Sequence, residues 1–261
     1  MSDQFKEKKK LPSDSFVQSF ARGLDVIKTF NRQRPEQTLT EVAQSAGLAR
    51  ASARRILLTL EHLGYVERSD RKFRLTPQIL DLGFAYLNST PFWNLAEPVM
   101  EQLSLQTSES TSLAVLDGTD VVYILRVPAK KIMTVTLAIG SRLPALWTSL
   151  GRVLLAEKSD NELKFLLKNT VFTEQPTKKT LLDKQELFVA IQQVREQGWC
   201  IVEQELEVGL VSMAAPVRDH SGKVIAAINI SGHAQRTSAE EMKNNFLGFL
   251  LAASRQISTL I

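Results

Sequence analysis

The chain has 261 residues, of which 44% are hydrophobic and 23% charged, enough for two domains that each bury a core. It shows no apolar leader and no run long enough to cross a bilayer, which disfavours the secreted and membrane-inserted classes and predicts a cytoplasmic protein with no membrane partner. The single cysteine, Cys200, cannot form an internal disulfide and gives no metal-site pattern, so we expect no metal and no cofactor.

The formal net charge of +4 is distributed unevenly along the chain. Up to Leu75 there are 15 Lys and Arg against 9 Asp and Glu, a net charge of +6, whereas the remainder has a net charge of −2. A basic surface attracts phosphate through the release of counterions, so the amino-terminal part is the predicted nucleic-acid contact. Residues 1–15 are charged and aperiodic, and we expect a mobile basic arm, either a plain solvated tail or a segment that touches DNA.

Residues 38–63 have the pattern of a helix-turn-helix. Apolar residues recur at helical spacing in TLTEVAQSAG, Gly47 supplies a left-handed turn, and a second apolar stripe runs from Ala53 to Leu63. The opposite face of the second helix is basic, as in helices that enter the major groove. We predict that four side chains of this helix read DNA: Arg50, Ser52, Arg54 and Arg55. An ordinary helical hairpin with solvated arginines is the alternative.

A basic wing is predicted directly after this helix. The segment YVERSDRKFRLT has the pattern of a strand, a turn at Ser69-Asp70 and a second strand. Three of its cations are the expected contacts to phosphate or to the minor groove: Arg68, Arg71 and Lys72.

A helix in SFARGLDVIKTF should cover the core of this winged helix-turn-helix domain, which we place at residues 16–75. Its apolar side chains recur near helical spacing: Phe20, Leu24, Ile27 and Phe30. Arg22 lies before this stripe and is a further candidate for a phosphate contact.

The rest of the chain predicts a linker helix over residues 76–91 and an α+β domain over residues 92–261. Proline at position 77 fits the first turn of the linker helix. Beyond it, strand patterns surround the turn Asp117-Gly118-Thr119 and recur in IMTVTLAIG, CIVEQELE, GLVSMAAPVRD and VIAAINISG, with helices between them and at both ends. This order predicts an antiparallel sheet that helices cover and that can hold a ligand in a concave face.

Arginine is the residue best suited to bind a carboxylate that has left water, because its planar group donates two parallel hydrogen bonds. Arg142, in a loop after a glycine, is the first candidate, and Arg126, at the end of YILRV, is the second. Arg142 could equally form a structural salt bridge or cap a carbonyl group. Several polar side chains could bond ring hydroxyls or, equally, their own backbone: Thr134, Thr148, Ser149, Ser212, Asn229 and Ser231. Three apolar side chains could form cavity walls or simple core: Leu143, Trp147 and Met213.

Several longer segments resemble the IclR family of bacterial transcriptional regulators. They are SFARGLDVIKTF, TLTEVAQSAGLARASARRILLTLEHLGYVER, GSRLPALWTSLGRVLLA and EQELEVGLVSMAAPVRDHSGKVIAAINISG. The resemblance implies a domain that binds double-stranded operator DNA as a homodimer or homotetramer, and a GAF-like effector domain that binds a small organic acid. By motif it implies pocket positions at Ser149, Leu150, Glu203, Ser212, Asn229 and Ser231. Many relatives carry a small polar run where this chain has Leu146-Trp147-Thr148, so the indole could line the pocket or shield it.

The segments FVQSFARGL, ARRILLTLEHLGYV and KIMTV resemble more closely the subgroup that controls protocatechuate, 4-hydroxybenzoate and β-ketoadipate breakdown. This resemblance implies a regulator of a catabolic operon that responds to such an aromatic or dicarboxylic acid. It favours an activator, which would contact RNA polymerase, and a repressor released by its effector is the alternative. An enzyme tethered to DNA is the weaker hypothesis, because the three histidines are scattered and no catalytic motif is apparent.

Overall fold

A computed structural model of the chain describes residues 15–89, 92–129 and 137–261. Their contacts divide the chain into two compact units, one ending at Ser89 and one following it. Nearly all of the predicted basic arm lies outside the described residues, as do Thr134 and most of the strand expected in IMTVTLAIG.

The amino-terminal unit combines helices with a small antiparallel sheet of strand order β1-β3-β2. Helix α4 follows a short 3-10 turn. The elements in chain order are α1 (Gln18–Lys28), β1 (Glu36–Thr38), α2 (Leu39–Ser45), α3 (Arg50–His62), β2 (Val66–Ser69), β3 (Lys72–Leu75) and α4 (Leu80–Ser89).

Local sequence signals set the limits of the helix-turn-helix. Helix α2 begins at a capping box, in which Thr38 and Glu41 bind each other's backbone N–H groups. Gly47, with a φ of 64°, then turns the chain into α3, and Gly64, with a φ of 83°, follows the end of α3. The three helices and the wing share one buried core: Val26, Phe30, Val42, Leu57, Leu60, Val66 and Phe73. The predicted winged helix-turn-helix is thereby confirmed.

Two details of this unit differ from the sequence prediction. Strand β2 continues through Ser69, so the wing turns at Asp70-Arg71, where Asp70 adopts a positive φ of 54°. Val26 of α1 is buried, as is Phe30, which follows the helix, while Phe20 and Leu24, both expected in the core, are 68% and 38% exposed. The part of α1 that enters the core is therefore its carboxyl-terminal end.

The carboxyl-terminal unit has one six-stranded antiparallel sheet of strand order β6-β5-β4-β9-β8-β7. The elements are α5 (Phe92–Thr107), β4 (Ser110–Asp117), β5 (Asp120–Val127), β6 (Arg142–Pro144), α6 (Ser149–Leu155), α7 (Asp160–Asn169), α8 (Lys184–Gln197), β7 (Cys200–Glu203), β8 (Leu210–Arg218), β9 (Val224–His233) and α9 (Ala239–Thr259). The predicted α+β class is confirmed. Strand β6 was not predicted, because its three residues lie in a segment with the pattern of a loop.

Helices cover both faces of this sheet. Helices α6, α7 and α8 pack on the face that carries Ala214 and Ala227 and bury the larger cluster of apolar side chains. Helices α5 and α9 pack against each other and against the sheet from the other face. Because neighbouring residues of a strand point to opposite faces, the α6 face of β8 carries Ser212 and excludes Met213. Among the described residues no helix is long and apolar enough to cross a membrane.

Candidate functional site

A cavity of about 160 Å³ lies in the carboxyl-terminal unit, between α6, the sheet and the segment that joins β7 to β8. One water needs roughly 10–15 Å³ on this measure, so the cavity can take a molecule of about ten non-hydrogen atoms. Nine of the residues considered for an effector site line it: Arg126, Leu143, Trp147, Thr148, Ser149, Leu150, Ser212, Asn229 and Ser231. Its walls are mainly apolar, with a few polar groups, which is the usual make-up of a small-molecule site.

A β-bulge in β5 directs two polar side chains into this cavity. The pairing with β4 matches Ser112 with Arg126 and Ala114 with Tyr123, which leaves Ile124 as an extra residue. Strict alternation would place Arg126 and Tyr123 on opposite faces, because they are three residues apart. The bulge restores them to the same face, and both line the cavity.

Arg126 is the one cation among the described residues that line this cavity. Its guanidinium Nη1 donates to Ser112 Oγ at 3.2 Å. Within the described part of the chain, no carboxylate lies within ion-pair distance of Arg126. Burial lowers the pKa of Arg126, and the nearby Tyr123 partly offsets that shift. An arginine nevertheless stays charged at neutral pH, so a half-buried positive charge lines the cavity. The described lining also includes two carboxylates, those of buried Glu205 and exposed Glu207.

Tyr123 supplies a hydrogen-bond donor beside Arg126. The side chain is 4% exposed, and burial raises the pKa of its hydroxyl to about 12, with the charge of Arg126 acting in the opposite direction. The hydroxyl therefore stays protonated at neutral pH and can donate to an anion.

A chain of polar groups lies at the contact between α6 and the sheet. Ser149 Oγ and Ser212 Oγ are 2.5 Å apart, and Asn229 Nδ2 donates to Ser212 Oγ at 3.1 Å. Asn229 Oδ1 is buried and accepts no hydrogen bond from the described residues. A buried acceptor without a donor is costly, so this group is available to a ligand that brings a hydroxyl or amide N–H.

The indole of Trp147 forms part of the cavity wall. Its Nε1 donates to the carbonyl oxygen of Leu181 at 3.0 Å, and its ring lies 5.6 Å from the ring of Phe172. With its N–H already bonded, Trp147 presents apolar surface to a ligand.

Helix α6 approaches the preceding turn closely through Gly151. A Cβ at this position would overlap the carbonyl oxygen of Ala145, so only glycine fits. Thr148 caps the helix by accepting from Gly151 N at 3.0 Å. These contacts fix Thr148 and Ser149 against the sheet.

Three residues predicted for the effector site lie elsewhere in the described structure. Arg142, on the edge strand β6, binds Asp117 at 2.9 Å and Asp120 at 3.1 Å. Glu203 binds Lys179 Nζ at 2.8 Å. Met213 is fully buried and points to the other face of the sheet from its neighbour Ser212. None of the three is among the described residues that line the cavity, so their positions argue against a role in effector binding.

Sequence reasoning missed eight lining residues: Tyr123, Leu137, Val202, Gln204, Glu205, Leu206, Glu207 and Leu210. Tyr123 has the pattern of an ordinary strand aromatic until the bulge is known. Gln204 adopts a positive φ of 58°, and its side-chain oxygen accepts from Gly209 N at 3.0 Å. The sequence CIVEQELE contained a usable signal for Glu205, because a carboxylate that becomes buried next to a strand needs a cationic partner.

A second candidate site is the exposed surface of α3 and the wing. Ala53, Leu57 and Leu60 face the core, which leaves Arg50, Arg54 and Arg55 exposed on the remaining surface of α3. None of these three arginines forms an ion pair with another described residue. A helix of this diameter fits the roughly 12 Å width of the DNA major groove.

The remaining predicted DNA contacts lie around this surface. Ser52 is half-buried on α3, and Arg22 is exposed on α1. In the wing, Arg71 lies in the turn and Lys72 begins β3, both exposed. Arg68 lies 3.5 Å from Glu61, an exposed pair that contributes little to stability. This unit thus presents several solvated cations on one helix and one hairpin.

The described residues include no group of three or more His, Cys, Asp or Glu side chains that could hold a metal ion.

Profiles of two protein domains match the chain. The helix-turn-helix domain of IclR matches residues 19–70, and the carboxyl-terminal domain of the bacterial transcriptional regulator IclR matches residues 84–259.

Individual proteins are similar over most of their length. The Pca regulon regulatory protein of Pseudomonas putida is 43% identical over 93% of this chain and 83% of its own. The p-hydroxybenzoate hydroxylase transcriptional activator of Acinetobacter baylyi is 30% identical over 95% of this chain and 93% of its own length. A solved IclR homologue from Microbacterium hydrocarbonoxydans, in complex with 4-hydroxybenzoate, is 25% identical with a TM-score of 0.81, covering 93% of this chain and 98% of that one.

Proposed function

The chain belongs to the IclR family of bacterial transcriptional regulators, and from this premise we propose that it couples operator binding to an aromatic acid of catabolism. Two similar proteins are named for the Pca regulon and for p-hydroxybenzoate hydroxylase, and a third was solved with 4-hydroxybenzoate. Protocatechuate and its chemical neighbours are therefore the first acids to test. The protein would act in the cytoplasm, where bacterial DNA is accessible.

On the DNA side, the arginines of α3 read base edges and the wing holds phosphate. Arg50, Arg54 and Arg55 can donate to guanine, while Arg71 and Lys72 contact the backbone or the minor groove. Two copies of such a unit bind two half-sites, which requires a homodimer or homotetramer. The proposed domain limits are 16–75 for DNA binding, 76–91 for the linker and 92–261 for the effector.

On the effector side, Arg126 holds the carboxylate. The observation that carries this proposal is a half-buried guanidinium that lines the cavity and has no carboxylate partner among the described residues. An unpaired charge in such a place is costly, and an organic anion removes the cost with two charge-assisted hydrogen bonds. Tyr123 can donate to the same anion. The aromatic ring of the acid would then pack against Trp147 and Leu143, which also line the cavity.

The acid controls transcription by binding one arrangement of the dimer more tightly than another. Only this difference in affinity can shift the spacing of the two α3 helices. We favour an activator that brings RNA polymerase to a catabolic promoter, since one of the similar proteins is named an activator. A repressor that its acid releases uses the same two sites.

Calorimetric titration of the full chain with protocatechuate, 4-hydroxybenzoate and β-ketoadipate tests the effector. We expect one of these acids to bind, and Arg126→Met to weaken it on the order of a hundredfold, because the buried anion loses its cation. Arg142→Ala is the matched control, since this arginine is exposed and already paired with Asp117 and Asp120.

The two arginines make opposite predictions for this experiment. If Arg142→Ala abolishes binding and Arg126→Met does not, the carboxylate site is at the edge strand instead of the cavity. If no acid binds the wild-type chain, the proposed effector class is wrong.

A further inference from the structure

A buried ion pair lies directly behind the cavity wall. Arg152, on α6, is 4% exposed and places Nη2 2.6 Å from Oε2 of Glu205, which is 7% exposed. Glu205 lines the cavity, whereas Arg152 is not among its described lining residues. A carboxylate thus belongs to the wall of a cavity that we propose for an acid, and its charge is balanced from outside that wall.

The pair also joins four segments around the cavity. Arg152 Nε donates to the carbonyl oxygen of Leu146 at 2.8 Å, and Leu181 N donates to Glu205 Oε2 at 3.2 Å. Leu181 in turn accepts the indole N–H of Trp147. The position of the Glu205 carboxylate is therefore fixed by its partners, and it cannot turn away from the cavity without breaking them.

We propose that Arg152 determines the specificity of the cavity for anions by neutralising Glu205. The inference rests on the proposed function, because it assumes an acidic effector. Without Arg152, the Glu205 charge would oppose the carboxylate of the ligand and cancel part of the attraction of Arg126. With Arg152 present, the charged side chains of the described lining that remain unneutralised are Arg126 and Glu207. Glu207 is exposed, so water and salt screen its charge, whereas Arg126 is half-buried and acts more strongly inside the cavity, which favours an anion.

A structural role alone makes a different prediction. Buried ion pairs often add little net stability, and replacing both partners by apolar residues can leave stability unchanged, whereas removal of one partner leaves an uncompensated charge. If Arg152 only supports the fold, its loss should weaken binding of charged and neutral ligands by the same factor. If Arg152 determines charge preference, its loss should weaken binding of the charged ligand more than binding of the neutral one.

The experiment compares an acid with its neutral amide in the full chain. The acid is whichever of protocatechuate, 4-hydroxybenzoate and β-ketoadipate binds the wild type, and the amide replaces one carboxylate with a carboxamide. Calorimetry gives the ratio of the two affinities for four proteins: wild type, Arg152→Met, Glu205→Gln and the double variant Arg152→Met with Glu205→Gln.

We expect Arg152→Met to lower the ratio of acid to amide affinity on the order of tenfold or more, because like charges then meet in a buried site. The double variant should restore the ratio, since both charges are gone, and Glu205→Gln should keep or raise it. Glu157→Gln, which removes an exposed partner of Arg218, is the control and should leave the ratio unchanged.

The outcomes separate this inference from the proposal on which it depends. If no acid binds the wild type, the effector class is wrong and the inference falls with it. If an acid binds the wild type but the ratio is the same in Arg152→Met, the effector class stands and Arg152 has no role in charge preference. If Arg152→Met does not fold, the test uses the ratio of acid to amide affinity in Glu205→Gln and in the double variant. A ratio below that of the wild type in both variants would contradict the proposal that Arg152 acts by neutralising the charge of Glu205.

Discussion

The two units use arginine in opposite ways. On α3, Arg50, Arg54 and Arg55 are exposed and unpaired within the described residues, so they are free to exchange water and counterions for phosphate and bases. In the cavity unit, Arg126 is half-buried and Arg152 is buried and paired with Glu205. On the proposed assignments, exposed guanidinium groups contact DNA and less exposed ones serve the binding of one small anion.

The comparison implies that the two sites should fail independently. An exposed cation supplies steering and contacts whose strength falls as salt rises, whereas a desolvated cation acts at short range and resists screening. Variants on α3 should therefore change DNA affinity and its salt dependence, and variants in the cavity should change effector affinity. A variant that changes both would contradict this separation.

The largest expected effect is that of Arg54→Ala combined with Arg55→Ala. Loss of two arginines that we propose to read bases should weaken operator binding on the order of a hundredfold or more and reduce the salt dependence of binding, while effector affinity stays as in the wild type. A gel-shift series over salt concentration measures the first two effects. Unchanged operator affinity would contradict the proposed role of these arginines, and a loss of effector affinity in calorimetry would contradict the separation of the two sites.

A smaller effect is expected for Gly151→Ala, which tests how closely the cavity unit is packed. The new Cβ would overlap the carbonyl oxygen of Ala145, and overpacking of this kind costs about 1–3 kcal/mol. We expect the melting temperature to fall by roughly 2–10 °C, as measured by calorimetry.

Gly248→Ala is the matched control for this helix glycine. On α9, a Cβ at position 248 would have no atom within 4 Å beyond its chain neighbours and the backbone of its own helix, so alanine should be neutral or mildly stabilising there. If both variants melt at the wild-type temperature, the contact between α6 and its preceding turn is looser than the overlap at Gly151 implies.

The smallest expected effect is a pH-dependent loss of stability at the capping boxes that begin α2 and α9, one in each unit. Hydrogen bonds from the backbone and then the side chain of Thr38 lower the pKa of Glu41, and a corresponding box lowers the pKa of Glu241. A lowered folded pKa means that this stabilisation is present above the unfolded value of 4.5 and is lost as pH falls below it.

Thr38→Ala should remove the side-chain part of this stabilisation in the amino-terminal unit alone. We expect a drop in melting temperature on the order of a few degrees at neutral pH, and a smaller difference from wild type below about pH 4. Thermal scans across pH measure it. A difference that grows as the pH falls would contradict the assigned direction of the Glu41 pKa shift.

Periodicity predicted the elements well because they are local. The apolar stripes of α2 and α3, the glycine between them and the wing depend on residues that are close in sequence, and the structure has each of them. The same holds for the strands β4, β5, β8 and β9. The strict alternation of a strand excludes that the neighbours Ser212 and Met213 face the same cavity, yet both were predicted for the effector site, and only Ser212 lines it.

The candidate site was harder to predict because its chemistry depends on pairings across the sheet. Arg142 was favoured over Arg126 for its loop position, yet its partners Asp117 and Asp120 are brought to it only by the pairing of β6 with β5. The pairing of Arg152 with Glu205 likewise joins positions 53 residues apart. No local pattern carries that information.

The extra residue in β5 has a consequence for how such sequences are compared. Because Ile124 is absorbed by the bulge, the side chains before and after it keep the same phase relative to β4. A relative that lacks this residue could run straight through the same strand and still present an arginine to its ligand. Loss of this one residue would therefore keep Arg126 and Tyr123 on one face, whereas a single insertion elsewhere between them would turn them to opposite faces.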